Sequence, residues 1–375
     1  MPLQCLKQLA ALASIAGSLA LAAPALADAP SGADFTQALP AAAELRAGPD
    51  TDADGPVIFR TGPIEAPRRF DLVGVDGASG VLEYRTARDG GPWSGWVEAD
   101  AGEPVWAGGA DRVQVRSHGG AISGRLHYVR IGGGDVDPKR LLARGGGGLG
   151  PARRGGKRLP REPRFITRAQ WGANAARGGC EPRATPETGR VKAGVIHHTV
   201  STNTYTRREA PGIVLAICRY HRNANGWNDI GYNALVDRFG NLYEGRAGGL
   251  ARAIVGAQAE GINSQTTGIA SIGDNREYKA RPKQRESIVR YLAWKFGLAG
   301  IEAEGRTWLT SAGGSTQRTP AGERVRVPRI FGHIETNYTA CPGAALNAQL
   351  ARIRREVGRK LGSTPPPPPA GPGRR

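Results

Sequence analysis

Three residues in the C-terminal half of the chain have the types needed to bind a transition metal: His197, His333 and Cys341. His197 follows the apolar run of "VKAGVIHHTV", and the other two lie eight positions apart in "FGHIETNYTACPG". Imidazole nitrogen and thiolate sulfur are ligands of zinc, and three protein ligands with one open position is the arrangement of catalytic zinc sites. Because zinc lowers the pKa of bound water toward about 7, such a site predicts hydrolysis at neutral pH.

Spacing alone leaves other interpretations of these residues open. Two histidines and a cysteine spread over about 145 positions could be core residues. They could also form a Cys–His pair in which Cys341 is a nucleophile, since a neighbouring histidine activates a thiol.

The elements around these residues follow an α/β pattern. Ile213, Ile217 and Tyr220 recur at helical spacing and predict an amphipathic helix. The remaining segments predict a strand–turn–strand, a buried strand and two further helices: "GYNALVDRFGNLYEGR", "TTGIASIG", "RPKQRESIVRYLAWKFGL" and "AALNAQLARIRREVGRKL". Strands that alternate with helices predict a mixed sheet flanked by helices over residues 165–361.

The preceding segment, residues 56–131, has a different pattern. Short alternating runs such as "RRFDLVGV" and "DRVQVRS" are bounded by Gly, Pro or Asp, which is typical of an all-β sandwich or barrel. We find no catalytic cluster in this segment, and its role is unknown from sequence. Residues 28–55 lack periodicity and are interpreted as a disordered leader.

The chain of 375 residues carries 55 Gly, 27 Pro and a formal charge of +18. Its length predicts two domains with connectors. Residues 132–164 form a basic Gly/Pro-rich linker, and residues 362–375 a Pro-rich disordered tail. The charge fits nucleic acid, an anionic membrane surface or an anionic cell wall, and the linker could adhere to such a surface.

The N-terminus predicts export. A positive Lys7, an apolar run and Ala25-Leu26-Ala27 have the pattern of a signal peptide cleaved after residue 27. No later segment is apolar enough to span a bilayer. Of four cysteines, Cys5 would leave with the signal peptide, and three in an oxidising compartment predict one disulfide and one cysteine with another role.

The amino-acid sequences of four segments resemble those of a known family. "TRAQWGA", "VIHHT", "NDIGYNALVDRFGNLYEGR" and "GHIETNYTACPG" occur in the order and spacing of zinc-dependent N-acetylmuramoyl-L-alanine amidases, which share a fold with the peptidoglycan recognition proteins. The resemblance covers about residues 165–355. It implies a zinc amidase domain over 165–361 that cleaves peptidoglycan between N-acetylmuramic acid and L-alanine.

Carried over residue by residue, the resemblance makes His197, His333 and Cys341 zinc ligands. It makes Tyr232 and Thr339 catalytic: the tyrosine assists at the water or the carbonyl, and the threonine donates to the developing oxyanion.

Further candidates are weaker. Asn233, Arg246 and His198 are expected to contact substrate; His198 is less suited as a ligand, because adjacent residues on a strand point to opposite faces. Glu244 has the chemistry of a general base, but a solvated carboxylate is the more common interpretation of such a residue.

The chain departs from the family pattern at three places. Gln258 stands where relatives commonly carry His, which is expected to affect a substrate contact. Ile334-Glu335 replaces a frequent Arg-Asp, and Asn228 stands where related exported enzymes can carry a cysteine. The last departure leaves Cys180 and Cys218 to pair with each other.

The resemblance therefore implies a secreted, cell-wall-associated monomer that uses Zn²⁺. A non-catalytic peptidoglycan-binding module is the alternative, although members that only bind typically lack the cysteine ligand. Nucleic-acid binding fits poorly with export, and no stacking-and-basic motif is apparent.

Overall fold

The computed structural model describes residues 33–40, 43–44, 51–52, 55–76, 81–100, 102–118, 122–132, 153–154, 157–175 and 178–362. The predicted signal peptide, most of the basic linker and nearly all of the Pro-rich tail lie outside these residues. Within them, no helix combines the length and apolarity that crossing a bilayer requires.

The described residues form twenty strands and four α-helices. The strands are β1 (Asp34–Ala38), β2 (Ala43–Glu44), β3 (Thr51–Asp52), β4 (Gly55–Pro56), β5 (Phe59–Arg60), β6 (Ile64–Asp76), β7 (Val81–Ala87), β8 (Val97–Asp100), β9 (Val105–Ser117), β10 (Arg125–Val129), β11 (Arg153–Arg154), β12 (Lys157–Arg158), β13 (Phe165–Ile166), β14 (Ala193–His198), β15 (Ala234–Val236), β16 (Leu242–Glu244), β17 (Thr266–Ser271), β18 (Arg306–Thr310), β19 (Arg324–Pro328) and β20 (Ile330–Gly332). The helices are α1 (Ala210–Asn223), α2 (Pro282–Ala299), α3 (Ala344–Asn347) and α4 (Leu350–Leu361), with 3₁₀ turns at Asn263–Gln265 and His333–Glu335.

The C-terminal part, here called the α/β domain (residues 157–175 and 178–362), has a six-stranded mixed sheet. Its strand order is β13-β16-β15-β17-β14-β20, and only β15 and β16 pair antiparallel. Helix α1 packs against one face of the sheet and forms one apolar cluster with it. Helices α2 and α4 pack against the opposite face and form a second cluster. The predicted mixed sheet between helices is confirmed.

Helix α1 is more deeply buried than an amphipathic helix. Every residue from Ala210 to His221 is buried, whereas the predicted pattern of Ile213, Ile217 and Tyr220 required only one apolar face. The reason is that a second domain covers the face that would otherwise meet water. The last predicted helix is also divided, since α3 ends at Asn347 and α4 begins at Leu350.

The N-terminal part, here called the β domain (the described residues between 33 and 132), is all-β as predicted. Eight of its strands form one antiparallel sheet. The two longest strands have thirteen residues each: β6 pairs with β9 and β10, and β9 pairs with β5, β6 and β7. Register shifts around Phe70 mark irregularities in their pairing, and bulges of this kind bend a strand. The sheet carries an apolar core, to which Val200 of the α/β domain also belongs.

One part of the predicted disordered leader is an ordered strand. Residues 34–38 form β1, which pairs with β10 in register from Asp34 to Ala38. The strand is held because the Phe35 ring stacks on Tyr128 with ring centroids 4.9 Å apart, and the Tyr128 hydroxyl donates to Gln37. A disordered leader over all of 28–55 is therefore wrong at this strand.

The two domains share an apolar core. Leu72, Trp106 and Val129 of the β domain belong to the same buried cluster as helix α1. Burying such side chains contributes about 1.5–3 kcal/mol each. The β domain is therefore packed on helix α1 in the way that two layers of one domain pack.

The predicted disulfide between Cys180 and Cys218 is confirmed. It ties the segment between β13 and β14 to helix α1, and both residues are fully buried. Cys341 is the one free cysteine among the described residues.

Candidate metal centre

Two parallel strands bring the two histidines together. β14 and β20 pair side by side with Ile196 opposite Gly332, so the residues that follow, His197 and His333, lie at the same edge of the sheet. Their ring centroids are 4.7 Å apart. Adjacent parallel strands end at one edge, so residues far apart in sequence meet there.

The loop after β20 returns Cys341 to this edge. The Ile334 N–H donates to the Cys341 carbonyl at 2.8 Å, which closes the loop across its base. One ligand atom from each of His197, His333 and Cys341 lies within 4.8 Å of the others. The three residues predicted to form a ligand set are thus clustered in space.

A hydrogen bond to Gln258 fixes the tautomer of His197. The Gln258 side-chain nitrogen donates to Thr266 at 3.1 Å, so its oxygen faces His197 and accepts from Nε2 at 2.6 Å. Nδ1 of His197 then carries the free lone pair, and it lies 3.6 Å from the Cys341 sulfur. Histidine ligands of metals are commonly oriented by such a partner on the other ring nitrogen.

The chemistry of the three donors fits a zinc-type cation. Nε2 of His333 is buried and has no hydrogen-bond partner among the described residues. Burial lowers the pKa of His333 to about 4 and that of His197 well below its usual value, so both rings are neutral, the form that binds metals. Burial raises the pKa of the Cys341 thiol, whereas a coordinated cation would stabilise its thiolate.

Tyr232 and Thr339 line the same cavity of about 390 Å³ as the three donors. The Tyr232 ring lies 5.4 Å from that of His197, and burial together with the neighbouring Glu103 raises the pKa of the tyrosine well above its usual value. The tyrosine therefore stays a neutral hydrogen-bond donor. The Thr339 oxygen accepts from the Cys341 N–H at 2.9 Å, which fixes the hydroxyl beside the donor set.

Two carboxylates from the β domain also line this cavity, and neither was predicted from the sequence. Asp100 at the end of β8 accepts a hydrogen bond from the Thr339 hydroxyl, and Glu103 lies in the next turn. Burial raises the pKa of Asp100 to about 6. Nothing in the short acidic stretch "VEADAGEP" indicates contact with residues more than 200 positions away, so no local signal identifies them.

Of the predicted substrate contacts, some line the cavity and others do not. His198 lines the cavity, although its Nδ1 accepts from the Asn275 N–H at 3.1 Å. Asn233 is not among the cavity-lining residues; its amide bridges the backbones of Ile254 and Gly268 at 2.9 and 2.8 Å.

Arg246 and Glu244 also lie outside the cavity. The Arg246 guanidinium points to the Ile230 carbonyl at 3.5 Å, and the Glu244 carboxylate accepts from the Arg168 N–H at 3.2 Å. These groups and Asn233 hold backbone segments, so His198 is the one predicted substrate contact that lines the cavity.

Comparison with known proteins gives consistent family matches for the α/β domain. Residues 187–344 match the family model described as N-acetylmuramoyl-L-alanine amidase. The chain is 32% identical over 179 residues to peptidoglycan-recognition protein SC1a of Drosophila melanogaster, covering 48% of this chain and 79% of that protein. It is 27% identical over 180 residues to protein SC2 of the same species, covering 48% and 80%.

Among solved structures, Drosophila peptidoglycan recognition protein SD is 22% identical with a TM-score of 0.40, covering 51% of this chain and 95% of that one. The family assignment rests on the sequence relatives.

Proposed function

The chain belongs to the family of type 2 N-acetylmuramoyl-L-alanine amidases and peptidoglycan recognition proteins, and from this premise we propose that it is a secreted zinc amidase. Its substrate would be peptidoglycan, cleaved at the amide between N-acetylmuramic acid and L-alanine. The observation that carries the proposal is the clustering of His197, His333 and Cys341 within 4.8 Å at the wall of a cavity.

His197 through Nδ1, His333 through Nε2 and Cys341 through its sulfur would hold the ion, with Gln258 orienting the first ring. Zinc, when bound, would supply a Lewis acid and a means of activating water at neutral pH. The three donors are shielded from solvent, and burial disfavours an isolated thiolate. Cys341 would therefore be ionised only when the cation is bound.

The protein's own donors would act on the scissile carbonyl. Negative charge develops on the carbonyl oxygen as the amide is attacked, and fixed hydrogen-bond donors stabilise that charge. Thr339 and Tyr232 both line the cavity and both carry a hydroxyl group. The Cys341 N–H already donates to the Thr339 oxygen, so the hydroxyl hydrogen is directed away from the backbone, and in this structure the Asp100 carboxylate accepts it.

The residues outside the α/β domain indicate where in or outside the cell the protein would act. The predicted signal peptide and the relatives, which are named as peptidoglycan recognition proteins, support a secreted protein that acts at a cell wall. The basic linker, residues 132–164, would hold it to anionic wall polymers by charge attraction.

The test uses the purified mature protein. Bound metal is quantified by atomic emission, and release of stem peptides from peptidoglycan is measured with and without a chelator, followed by re-addition of zinc. We expect stoichiometric zinc and a release that chelation abolishes and zinc restores. Release by metal-free protein would refute the zinc mechanism, and inactivation of that protein by thiol alkylation would identify Cys341 as a nucleophile. Bound zinc without release would identify a binding module.

A further inference from the structure

We propose that the β domain keeps the site inactive through an acidic segment, here called the latch, which comprises the described residues 98–100 and 102–103. Asp100 of the latch accepts the hydrogen bond that the Thr339 hydroxyl donates. The inference rests on the proposed function, because it concerns the hydroxyl that would stabilise the oxyanion. It goes beyond that function in giving the β domain a role and in predicting that the enzyme must open before it acts.

The Thr339 hydroxyl can donate to only one acceptor at a time. A threonine hydroxyl has one hydrogen to donate, and here it is donated to the Asp100 carboxylate. The Thr339 oxygen meanwhile accepts from the Cys341 N–H. While Asp100 is in place, the hydroxyl therefore has no hydrogen left for an oxyanion.

The charge of the latch opposes the reaction as well. Asp100 and Glu103 both line the cavity that contains the three metal donors. A carboxylate in hydrogen-bond contact with the oxyanion donor would stand next to the oxygen on which negative charge develops. Like charges at such a separation in a partly buried site repel strongly, so the transition state would be disfavoured even if substrate entered.

Toward the α/β domain, the latch is held by polar contacts that can exchange for water. Glu98 pairs with Arg276 at 3.0 Å, and Arg276 is in turn bound by Asp274 at 2.8 Å. Asn225 of the α/β domain donates to the Gly102 carbonyl at 2.8 Å. Partly exposed contacts of this kind contribute little individually, so their loss is an accessible motion.

The strand that carries the latch is placed to move. Among the described strands, β8 pairs only with β7 and lies at an edge of the sheet. The rest of the β domain is fixed by the apolar core that Leu72, Trp106 and Val129 share with helix α1. Opening can therefore be local: the described residues 98–100 and 102–103 separate from the α/β domain, while the β domain stays docked on helix α1 through its shared apolar core.

The test compares Asp100→Ala, Asp100→Asn and Glu98→Gln with the wild-type protein. Asp100→Ala removes the acceptor and the charge, Asp100→Asn keeps an acceptor without the charge, and Glu98→Gln loosens the latch without altering Asp100. Asp89→Asn is the matched control, since Asp89 belongs to the same domain but pairs with Arg69 outside the cavity. Each variant is checked for zinc content and thermal unfolding.

Two measurements are made on full-length protein: kcat/KM for release of stem peptide from a soluble muropeptide, and calorimetric affinity of the zinc-depleted protein for the same muropeptide. We expect Asp100→Ala to raise kcat/KM about tenfold or more, which corresponds to about 1.4 kcal/mol. Asp100→Asn and Glu98→Gln should raise it less, and Asp89→Asn should leave it unchanged. Affinity should rise in the same order.

Two results separate this inference from the proposed function. An active wild-type enzyme whose Asp100 variants are equally or less active would overturn the latch, and would make Asp100 a residue that assists the reaction. If no variant hydrolyses the muropeptide but Asp100→Ala binds it at least tenfold more tightly, the latch stands and the amidase assignment fails.

Discussion

The Tyr220 ring of helix α1 lies directly against the backbone of Gly74 in strand β6. A Cβ atom added at Gly74 would lie 2.3 Å from the phenol oxygen and 2.6 Å from the adjacent ring carbon. Glycine is therefore required here by a close approach between the two domains. This contact is where the β domain can be loosened without touching the cavity.

Gly74→Ala should weaken docking of the β domain. The added methyl group forces the ring or the strand to shift, and overpacking of this kind costs typically about 1–3 kcal/mol. We expect a lower free energy of unfolding in urea and faster proteolysis. If the latch acts as proposed, kcat/KM should also rise. Gly62→Ala serves as a control, because a Cβ at Gly62 meets no atom within 4 Å. Equal stability of the two variants would contradict the prediction.

Cys341→Ser should greatly reduce zinc affinity. The thiolate is the one donor in the set that carries charge, and even the loss of a residue that only orients a ligand costs about 10–100-fold in affinity. We expect a loss of at least about a hundredfold, measured by competition with a chromogenic chelator. Full retention of zinc by this variant would remove Cys341 from the ligand set.

Gln258→Leu should weaken zinc binding about 10–100-fold while the fold is retained. The variant removes the oxygen that accepts from His197 at 2.6 Å, so the ring is no longer held with Nδ1 toward Cys341. Gln265→Leu is a matched control, since its amide bonds to Thr310 and Lys192 outside the cavity. The same competition assay distinguishes them, and equal affinities would show that Gln258 does not orient the ligand.

Thr339→Val and Tyr232→Phe should each lower kcat without loss of zinc. Both changes remove a hydroxyl and keep the shape of the side chain. Loss of one oxyanion donor typically reduces kcat by about 10²–10³-fold. Steady-state kinetics with zinc quantified in the same samples provides the measurement. A fall in activity that follows zinc content would assign the residue a structural role instead.

Lys295 should make stability rise with pH above neutrality. Its ammonium is buried against the carbonyls of Leu250 and Arg252, and desolvation lowers its pKa to about 8. The unfolded lysine has a pKa of about 10.4. Between these values the unfolded chain binds more protons, so the free energy of unfolding rises with pH in that window.

Lys295→Met should remove this contribution. Relative to the variant, the wild-type protein should gain about 2 kcal/mol between pH 8 and pH 10, measured by urea unfolding at both values. Parallel pH profiles for the two proteins would show that the lysine does not titrate in this range.

The clustering of His197, His333 and Cys341 could be predicted through the family resemblance, because the segments that carry it are short and local. His197 ends an apolar strand, and His333 and Cys341 share one loop with a recognisable wording. The sequence of the loop and the apolar pattern of the strand are both local signals. Parallel pairing of β14 with β20 then brings His197 and His333 to one edge of the sheet. The Cys180–Cys218 pair was implied by the family resemblance and is present in the structure.

Asp100 and Glu103 were inaccessible for the opposite reason. Their position in the cavity depends on how the β domain docks on helix α1, and that docking depends on shape at contacts such as Gly74 with Tyr220. No spacing rule connects residue 100 with residue 339. The burial of every α1 residue from Ala210 to His221 and the strand at Asp34–Ala38 were not predicted for the same reason, since both arise from packing between distant segments.

The shared core also has a consequence for handling the protein. An isolated fragment beginning near residue 157 would leave uncovered the patch of helix α1 on which Leu72, Trp106 and Val129 rest. Exposed apolar patches of this kind promote self-association. A truncated enzyme is therefore expected to be poorly soluble for reasons unrelated to catalysis, and recombinant expression is better begun upstream of Asp34.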